Sequence, residues 1–327
     1  KQSSNFRSTY SGILFPLPER PVVTWRSVVI SKPAKLKREH FSLAIEQSQT
    51  AFVPFEDIAV IVLAHREITI THPVLSACGD YGIGLYACGD NHQPNAVLLP
   101  FLQHSRAVRM QRLQLDVDRP TAKRAWAEIV KSKIKNQCFV LKAFELDAAE
   151  RLASHERRVR SGDPDNLEAQ AAALYFPALF SRGFNRAQES WTNSALDYGY
   201  AVMRGACARA LVAHGMLPSI GLFHDSEQNA FNLADDLIEP YRPVVDLHVA
   251  RNVRGSGSTS LFELTSADKA ALISLLNVDV GMPRGVMSVL ASIDQAAQSL
   301  ARVYDGGSDS LLELPRVQGL MQHKDER

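Results

Sequence analysis

The chain has 327 residues, 46% hydrophobic and 22% charged, with a formal net charge of +1 at pH 7. It can bury a sizeable core, and its length suits two domains at roughly 100–200 residues each. No apolar run approaches the ~18–20 residues that span a bilayer, and the opening KQSSNFRSTYSGILFPLPERP lacks the basic, long apolar and small-residue order of a signal peptide, so a cytoplasmic protein outside the membrane is expected. Cys78, Cys88, Cys138 and Cys207 are scattered without CxxC spacing and read as reduced thiols, not as a disulfide frame or a zinc site.

Residues 1 to 24 carry no motif and read as an N-terminal extension; the chain begins with Lys. Between 25 and 95, the segments SVVIS (27–31), FSLAIEQ (41–47), IAVIVLAH (58–65) and IGLYACG (83–89) are short, rich in Val and Ile, and bounded by turn-forming residues, which predicts strands. GDNHQPN (89–95) is a polar connector. Beyond it, apolar residues recur every three or four positions, which predicts helices over 102–115, 121–144, 147–159, 166–180, 193–214, 229–238, 266–276 and 286–303. The expected fold class is therefore α+β. A small N-terminal β-sheet domain, sandwich-like, spans 25–95; a larger all-α domain spans 96–305; residues 306–327 form a loosely held tail. GSGSTS (255–260) and GGSDS (306–310) read as flexible loops.

Charge is unevenly distributed. Residues 101–160 hold 14 Lys and Arg against 7 Asp and Glu. Arg106, Arg109 and Arg112 recur every three residues, near one side of a helix. Lys131, Lys133 and Lys135 follow, then Arg157, Arg158 and Arg160. Such a field can neutralise the phosphates of a nucleic acid. It can equally be a solvated helix face, and charge alone leaves both readings open.

Two acidic segments and one histidine carry the functional question. In SGDPDNLEAQAAALYFPALF, Asp163, Asp165 and Asn166 are N-cap material, and Glu168 has Ala171, Ala172, Tyr175 and Leu179 as face neighbours. A carboxylate on that strip needs compensation, which a divalent cation would supply and a helix N-terminus would supply more weakly. In GLFHDSEQNAFNLADDLIEPYRP, Asn232, Asp235, Asp236 and Glu239 share one helix face, and His224 precedes them. Pro240 disfavours helical geometry at Glu239. A water-facing helix side with a capping histidine satisfies the same pattern.

The strings RSGDPDNLEAQAAALYFPALF, NSALDYGYAVMRGACARAL and GLFHDSEQNAFNLADDLIEPYRPVVD, in this order, resemble the CRISPR-associated protein one family, the integrase of spacer acquisition. WRSVVIS from Trp25 and FEDIAVIVLAHREITIT are also similar, in particular to members from type II systems, so the resemblance runs from Trp25 through most of the chain. It implies a divalent-metal-dependent DNA endonuclease and integrase of antiviral defence. In that family a Glu, a His and a third acidic residue bind one ion, and they match Glu168, His224 and Glu239. Asp235 and Asp236 would orient the site, Asp236 being also the reserve third ligand, and Arg242 would pair with these acids or with phosphate. The resemblance further implies a homodimer through the β domains, a partner in CRISPR-associated protein two, and as substrates prespacer DNA and CRISPR leader-repeat DNA.

The chemistry suits the set. Mg²⁺ or Mn²⁺ prefers carboxylate oxygens, and an imidazole tilts the preference toward Mn²⁺. Attack by a prespacer 3′-hydroxyl on a phosphodiester at the repeat edge is a transesterification without a covalent enzyme intermediate. Two alternatives use the same residues differently: a nuclease that only hydrolyses DNA, and a non-enzymatic helical DNA-binding protein that needs only the basic region.

Overall fold

The structure, a computed structural model, describes residues 26–89, 94–100, 104–256, 263–306 and 311–322. The N-terminal extension, Trp25 and most of the three predicted connectors lie outside the described residues.

The first part of the chain forms β1 (Arg26–Ile30), β2 (Ala34–Glu39), β3 (Ser42–Glu46), β4 (Thr50–Pro54), β5 (Ile58–Leu63), β6 (Ile68–Ile70), β7 (Gly84–Cys88) and β8 (Pro94–Leu98). They build two four-stranded sheets, ordered β1-β5-β7-β8 and β4-β3-β2-β6. The four predicted strands are β1, β3, β5 and β7; the other four were not anticipated. β2 shows why: AKLKRE carries charge on its solvent side while burying Ala34 and Leu36, so its apolar content is too low for a composition signal. β5 pairs in parallel with both neighbours and is buried along nearly its whole length, as central parallel strands are.

One helix, α1 (His72–Tyr81), interrupts the strands. Extended Thr71 caps it, proline opens its first turn, and Gly82 closes it at φ 70°, a left-handed position that suits glycine. Leu36 and Leu43 of one sheet, Ile61 of the other, Val74 of α1 and Ile83 share a small apolar core. Val60 and Val62, on the opposite face of β5, belong instead to the large core of the helical region. Because successive residues of a strand face opposite ways, this single strand ties the two parts of the molecule together.

The second part contains α2 (Ala107–Leu115), α3 (Arg119–Ala143), α4 (Ala148–Arg158), α5 (Leu167–Leu179), α6 (Trp191–Ala213), α7 (Asn232–Ile238), α8 (Arg242–Ser256), α9 (Ser266–Ser274) and α10 (Val289–Gly306). It is mostly helical but not all-α. β9 (Val278–Met282), β10 (Gly285–Ser288) and β11 (Arg316–Gln322) form a third sheet, ordered β10-β9-β11. The helix expected from 286 begins three residues later, because Met-Pro-Arg-Gly turns the chain back and Gly285 takes φ 132°, closed to an ordinary side chain. The segment beyond 306 is likewise no loose tail where it is described. β11 pairs antiparallel with β9, and the Val317 amide donates to the Asn136 side chain on α3.

A further correction concerns Glu239. Its backbone is helical, at φ −52° and ψ −44°, despite the proline that follows. Glu239–Tyr241 is a single 3₁₀ turn linking α7 to α8, where Pro240 lies in the first turn and its missing N–H costs nothing. The face that the alternative reading turned toward water is mostly inside, with Asn232, Asp236 and Glu239 all buried.

Candidate functional site

α3 is the element on which the site is built. Trp126, Val130, Lys133 and Gln137 follow at spacings of four, three and four on its inward face, so Lys133 lies on an apolar stripe rather than among surface lysines. Its ammonium reaches two carboxylates at once, Glu168 and Glu239. Burial pushes the Lys133 ammonium down, but Glu239 and Glu168 outweigh that and hold it above the usual lysine range.

Glu168 sits in the first turn of α5. That turn is set by Asp163, whose two carboxylate oxygens accept the amides of Leu167 and Glu168, each at 2.9 Å, satisfying two donors that a helix start leaves free. Glu239 comes from the 3₁₀ turn, which Asn136 anchors by donating to the Pro240 carbonyl at 2.8 Å. Asn136 also donates to the Pro315 carbonyl at 3.0 Å, so α3, the turn and the approach to β11 meet on one side chain. Arg242 donates from Nε to Glu239 Oε1 at 2.8 Å and stacks over the Tyr200 ring, 4.6 Å from its centroid. Burial pushes the Glu239 carboxyl up, yet Arg242 and Lys133 beside it bring it down to about 2. It is ionised throughout the neutral range.

His224 lies in the loop between α6 and α7, and Asp236 holds it. Asp236 Oδ2 accepts the amides of Leu222 at 2.6 Å and Phe223 at 3.1 Å. Its Oδ1 accepts the His224 amide at 3.2 Å and His224 Nδ1 at 2.7 Å. Four donors match the four lone-pair directions of a carboxylate. The bond from Asp236 raises the His224 pKa, opposed by partial burial. It also fixes the proton on Nδ1, leaving Nε2 as the nitrogen with a lone pair in the neutral ring. Gly221 lets the loop close this tightly: a Cβ there would sit 2.2 Å from the His224 carbonyl oxygen and 2.9 Å from Asp236 Oδ2. The half-exposed Phe223 ring lies flat on Trp126 at 4.4 Å between centroids, beside the imidazole.

The structure thus brings Glu168 and Glu239 together on one cation and leaves His224 nearby, close enough for its charge to weigh on Glu239. Among the described residues no three His, Cys, Asp or Glu side chains converge closely enough to share one ion. The donor set nonetheless fits a hard divalent cation: two carboxylates from separate elements already meet around positive charge, and the imidazole is oriented as metal-bound histidines are. Asp235 stands apart, accepting from Asn229 at 2.7 Å and facing Arg204 at 3.9 Å. A cleft of about 260 Å³ is lined by Lys133, Glu168, Tyr200, Glu239, Arg242 and Asp246. Asp246, which the sequence did not single out, is buried, bonded by Tyr200, and pushed by burial up to about 6.

Of the basic residues, Arg106, Arg109, Arg112, Arg157, Arg158 and Arg160 are all exposed. Arg109 pairs with Asp305 and Arg160 with Asp165. Lys133 belongs to the site and not to that surface. Position could have revealed it, since it falls seven residues after Trp126 on the buried stripe.

All four cysteines are free, and among the described residues no helix is long and apolar enough to cross a membrane. Residues 28–268 match the family model for CRISPR associated protein Cas1. The chain is 42% identical over 306 residues to a CRISPR-associated endonuclease Cas1 of Neisseria meningitidis, covering 93% of this chain and all of that one. A CRISPR-associated endonuclease Cas1 of Hyperthermus butylicus is 26% identical over 214 residues, 58% of this chain and 64% of that one. The fold is shared with a casposase bound to its integration product (TM-score 0.70, 17% identity, 88% of this chain and 92% of that one). It is shared too with a CAS1 protein from Thermotoga maritima (TM-score 0.68, 16% identity, 91% and 100%). A Cas6-RT-Cas1–Cas2 complex matches with TM-score 0.68 at 16% identity, over 88% of this chain and 36% of that one. On the family match and the full-length similarity, this chain belongs to the family of CRISPR associated protein Cas1.

Proposed function

We propose that the chain is a divalent-metal-dependent DNA endonuclease and integrase of CRISPR adaptation, acting in the cytoplasm and joining prespacer 3′-hydroxyl ends to the CRISPR repeat by transesterification. The observation that carries the reading is the meeting of Glu168 and Glu239 around one positive charge, next to an imidazole oriented by a buried carboxylate. Glu168, Glu239 and His224 Nε2 would hold Mg²⁺ or Mn²⁺. When bound, such an ion polarises the scissile phosphate and lowers the pKa of the attacking hydroxyl. The chain's own residues do the rest. Asp236 holds the imidazole by Nδ1 and leaves Nε2 free, Arg242 holds Glu239 ionised and offers positive charge at the cleft, and the apolar Trp126–Phe223 stack beside the imidazole would limit water there. A plasmid integration assay with prespacer DNA, with and without CRISPR-associated protein two, tests this. Joined product supports it, and cleavage without joining points to hydrolysis alone.

The exposed arginines fit backbone contacts to DNA. Replacing Arg106, Arg112, Arg157 and Arg158 together by alanine should weaken binding of unrelated DNA sequences about equally and lower the salt slope by about one unit per lost phosphate contact. Fluorescence anisotropy at several salt concentrations reads both, and unchanged affinity and slope would leave these residues as a solvated face.

The two N-terminal sheets, as a sandwich-like unit, fit a dimer contact. β4 is an edge strand with Phe52 exposed, and Phe41 just before β3 is exposed as well; unpaired edges with apolar side chains invite a partner strand. Gel filtration with light scattering should give a homodimer that Phe52→Lys converts to monomer. A wild-type monomer at micromolar concentration and physiological salt would refute the assignment. Such a dimer would sit against CRISPR-associated protein two, with leader-repeat DNA across the complex.

A further inference from the structure

The candidate ion site already contains a cation of its own. Lys133 is 6% exposed, and its ammonium is shared by the two carboxylates that the proposed function assigns to a metal. A buried ion pair normally matches one charge with one charge. Here a single ammonium bridges Glu168 and Glu239, which arrive from separate elements, and Arg242 already neutralises Glu239 from its other oxygen. A divalent ion set between the same carboxylates would face the ammonium at contact range in a poorly solvated cleft, where like charges repel far more strongly than in bulk water. Ammonium and divalent ion are therefore alternatives.

The cleft offers the displaced ammonium somewhere to go. Asp246 lines the same cavity as Lys133, Glu168 and Glu239. It is buried, with hydroxyl contacts from tyrosine rather than a directly paired cation. A lysine side chain has four rotatable bonds, so its head can move while its stem stays packed on α3.

We propose that Lys133 is an internal counter-ion that holds Glu168 and Glu239 in place before metal arrives and must be displaced, toward Asp246, for the divalent ion to bind. This rests on the metal reading of the site and adds a competitor to it. Without the ammonium, the two glutamates would repel each other and swell the site; with it, the ligand pair is pre-assembled but the ion binds only by exchange. The apparent affinity is thereby the intrinsic one multiplied by the fraction of molecules in which Lys133 is unseated.

The test uses the full chain and Mn²⁺ alone. By isothermal titration calorimetry, Lys133→Met should bind Mn²⁺ about tenfold more tightly than wild type or better, because the competing state is gone. By thermal unfolding in chelator it should be less stable than wild type, and Mn²⁺ should restore more of its melting temperature than it adds to the wild type. Equal or weaker Mn²⁺ binding by folded Lys133→Met would overturn the inference and leave the metal site standing. Absence of Mn²⁺ binding from both proteins would remove the metal site itself and this inference with it. If Lys133→Met does not fold, nitrogen-15 spectra of the lysine ammonium groups decide on wild type, with Lys133→Arg identifying the signal. Titration with diamagnetic Mg²⁺ should shift the Lys133 resonance and speed its hydrogen exchange, and a resonance that stays unmoved as the ion binds would overturn the exchange.

Discussion

Alanine at Glu168 or His224, or glutamine at Glu239, is expected to slow the joining of DNA ends to target by about 10²–10³-fold or more, while non-specific DNA affinity stays within a few-fold of wild type. The separation follows from where each free energy arises. In the proposed function, affinity would come from many phosphate contacts spread over exposed arginines, whereas the three ligands would act on charge that develops at one phosphorus during the reaction. Glutamine is chosen at position 239 because alanine would leave buried Lys133 with Glu168 alone and partly buried Arg242 without its carboxylate, a loss of up to about 3–5 kcal/mol that would confuse unfolding with inactivation. Glu168→Ala/His224→Ala should be hardly slower than either single variant, since ligands of one ion act as a unit. Single-turnover joining and DNA binding measured on the same preparations decide. Folded Glu239→Gln protein joining DNA at the wild-type rate would show that the third ligand is wrongly named and would turn attention to Asp246, which shares the cleft.

Asp236→Ala should be nearly as damaging, by a different route. This carboxylate is fully buried and accepts four N–H groups from the Leu222–His224 segment, so its removal frees the histidine loop. Divalent-ion affinity and joining rate should each fall about 10–100-fold, as for other residues that orient a metal-bound histidine. Stability in urea should drop by about 3 kcal/mol from the orphaned donors. The proton linkage gives an independent signature. Asp236 raises the His224 pKa, so the pair's contribution to stability is complete below the unfolded imidazole value of about 6.5 and fades as pH rises through the higher folded value. In Asp236→Ala the imidazole titration seen by NMR should move down and this pH dependence should vanish. Asp235→Ala, outside these bonds, should change stability by only about 0.5–1 kcal/mol. Unaltered ion binding by Asp236→Ala would show that the loop holds its shape without the carboxylate.

Burial over a whole element leaves a signal in a linear sequence, and pairing at a sheet edge does not. β5 and the long helices α3 and α6 were legible because burial on most of their surface forces an apolar pattern that no solvent-exposed segment needs. β4, β6 and β8 were not, since edge strands are stabilised by backbone pairing with a neighbour, which leaves little trace in residue type, and central β2 was not, since its solvent side carries charge. The third sheet escaped for the same reason: β11 lies more than thirty residues beyond its partner β9, and nothing local announces the pairing.

The site divides in the same way. Residue types and helical spacing raised Glu168, His224 and Glu239 as candidates but fitted a solvated helix face as well; the resemblance of the strings that hold them to the CRISPR-associated protein one family joined the three into one set. Only the tertiary structure decided which way they face. It turned Asp236 inward to clasp the histidine loop, kept Glu239 helical against the local preference set by Pro240, and took Lys133 out of a basic run to seat it between two carboxylates. Those outcomes depend on burial and on partners more than thirty residues away for Lys133. Local propensities of well under 1 kcal/mol per residue give way to a buried ammonium that is tolerable only where carboxylates from other elements meet it.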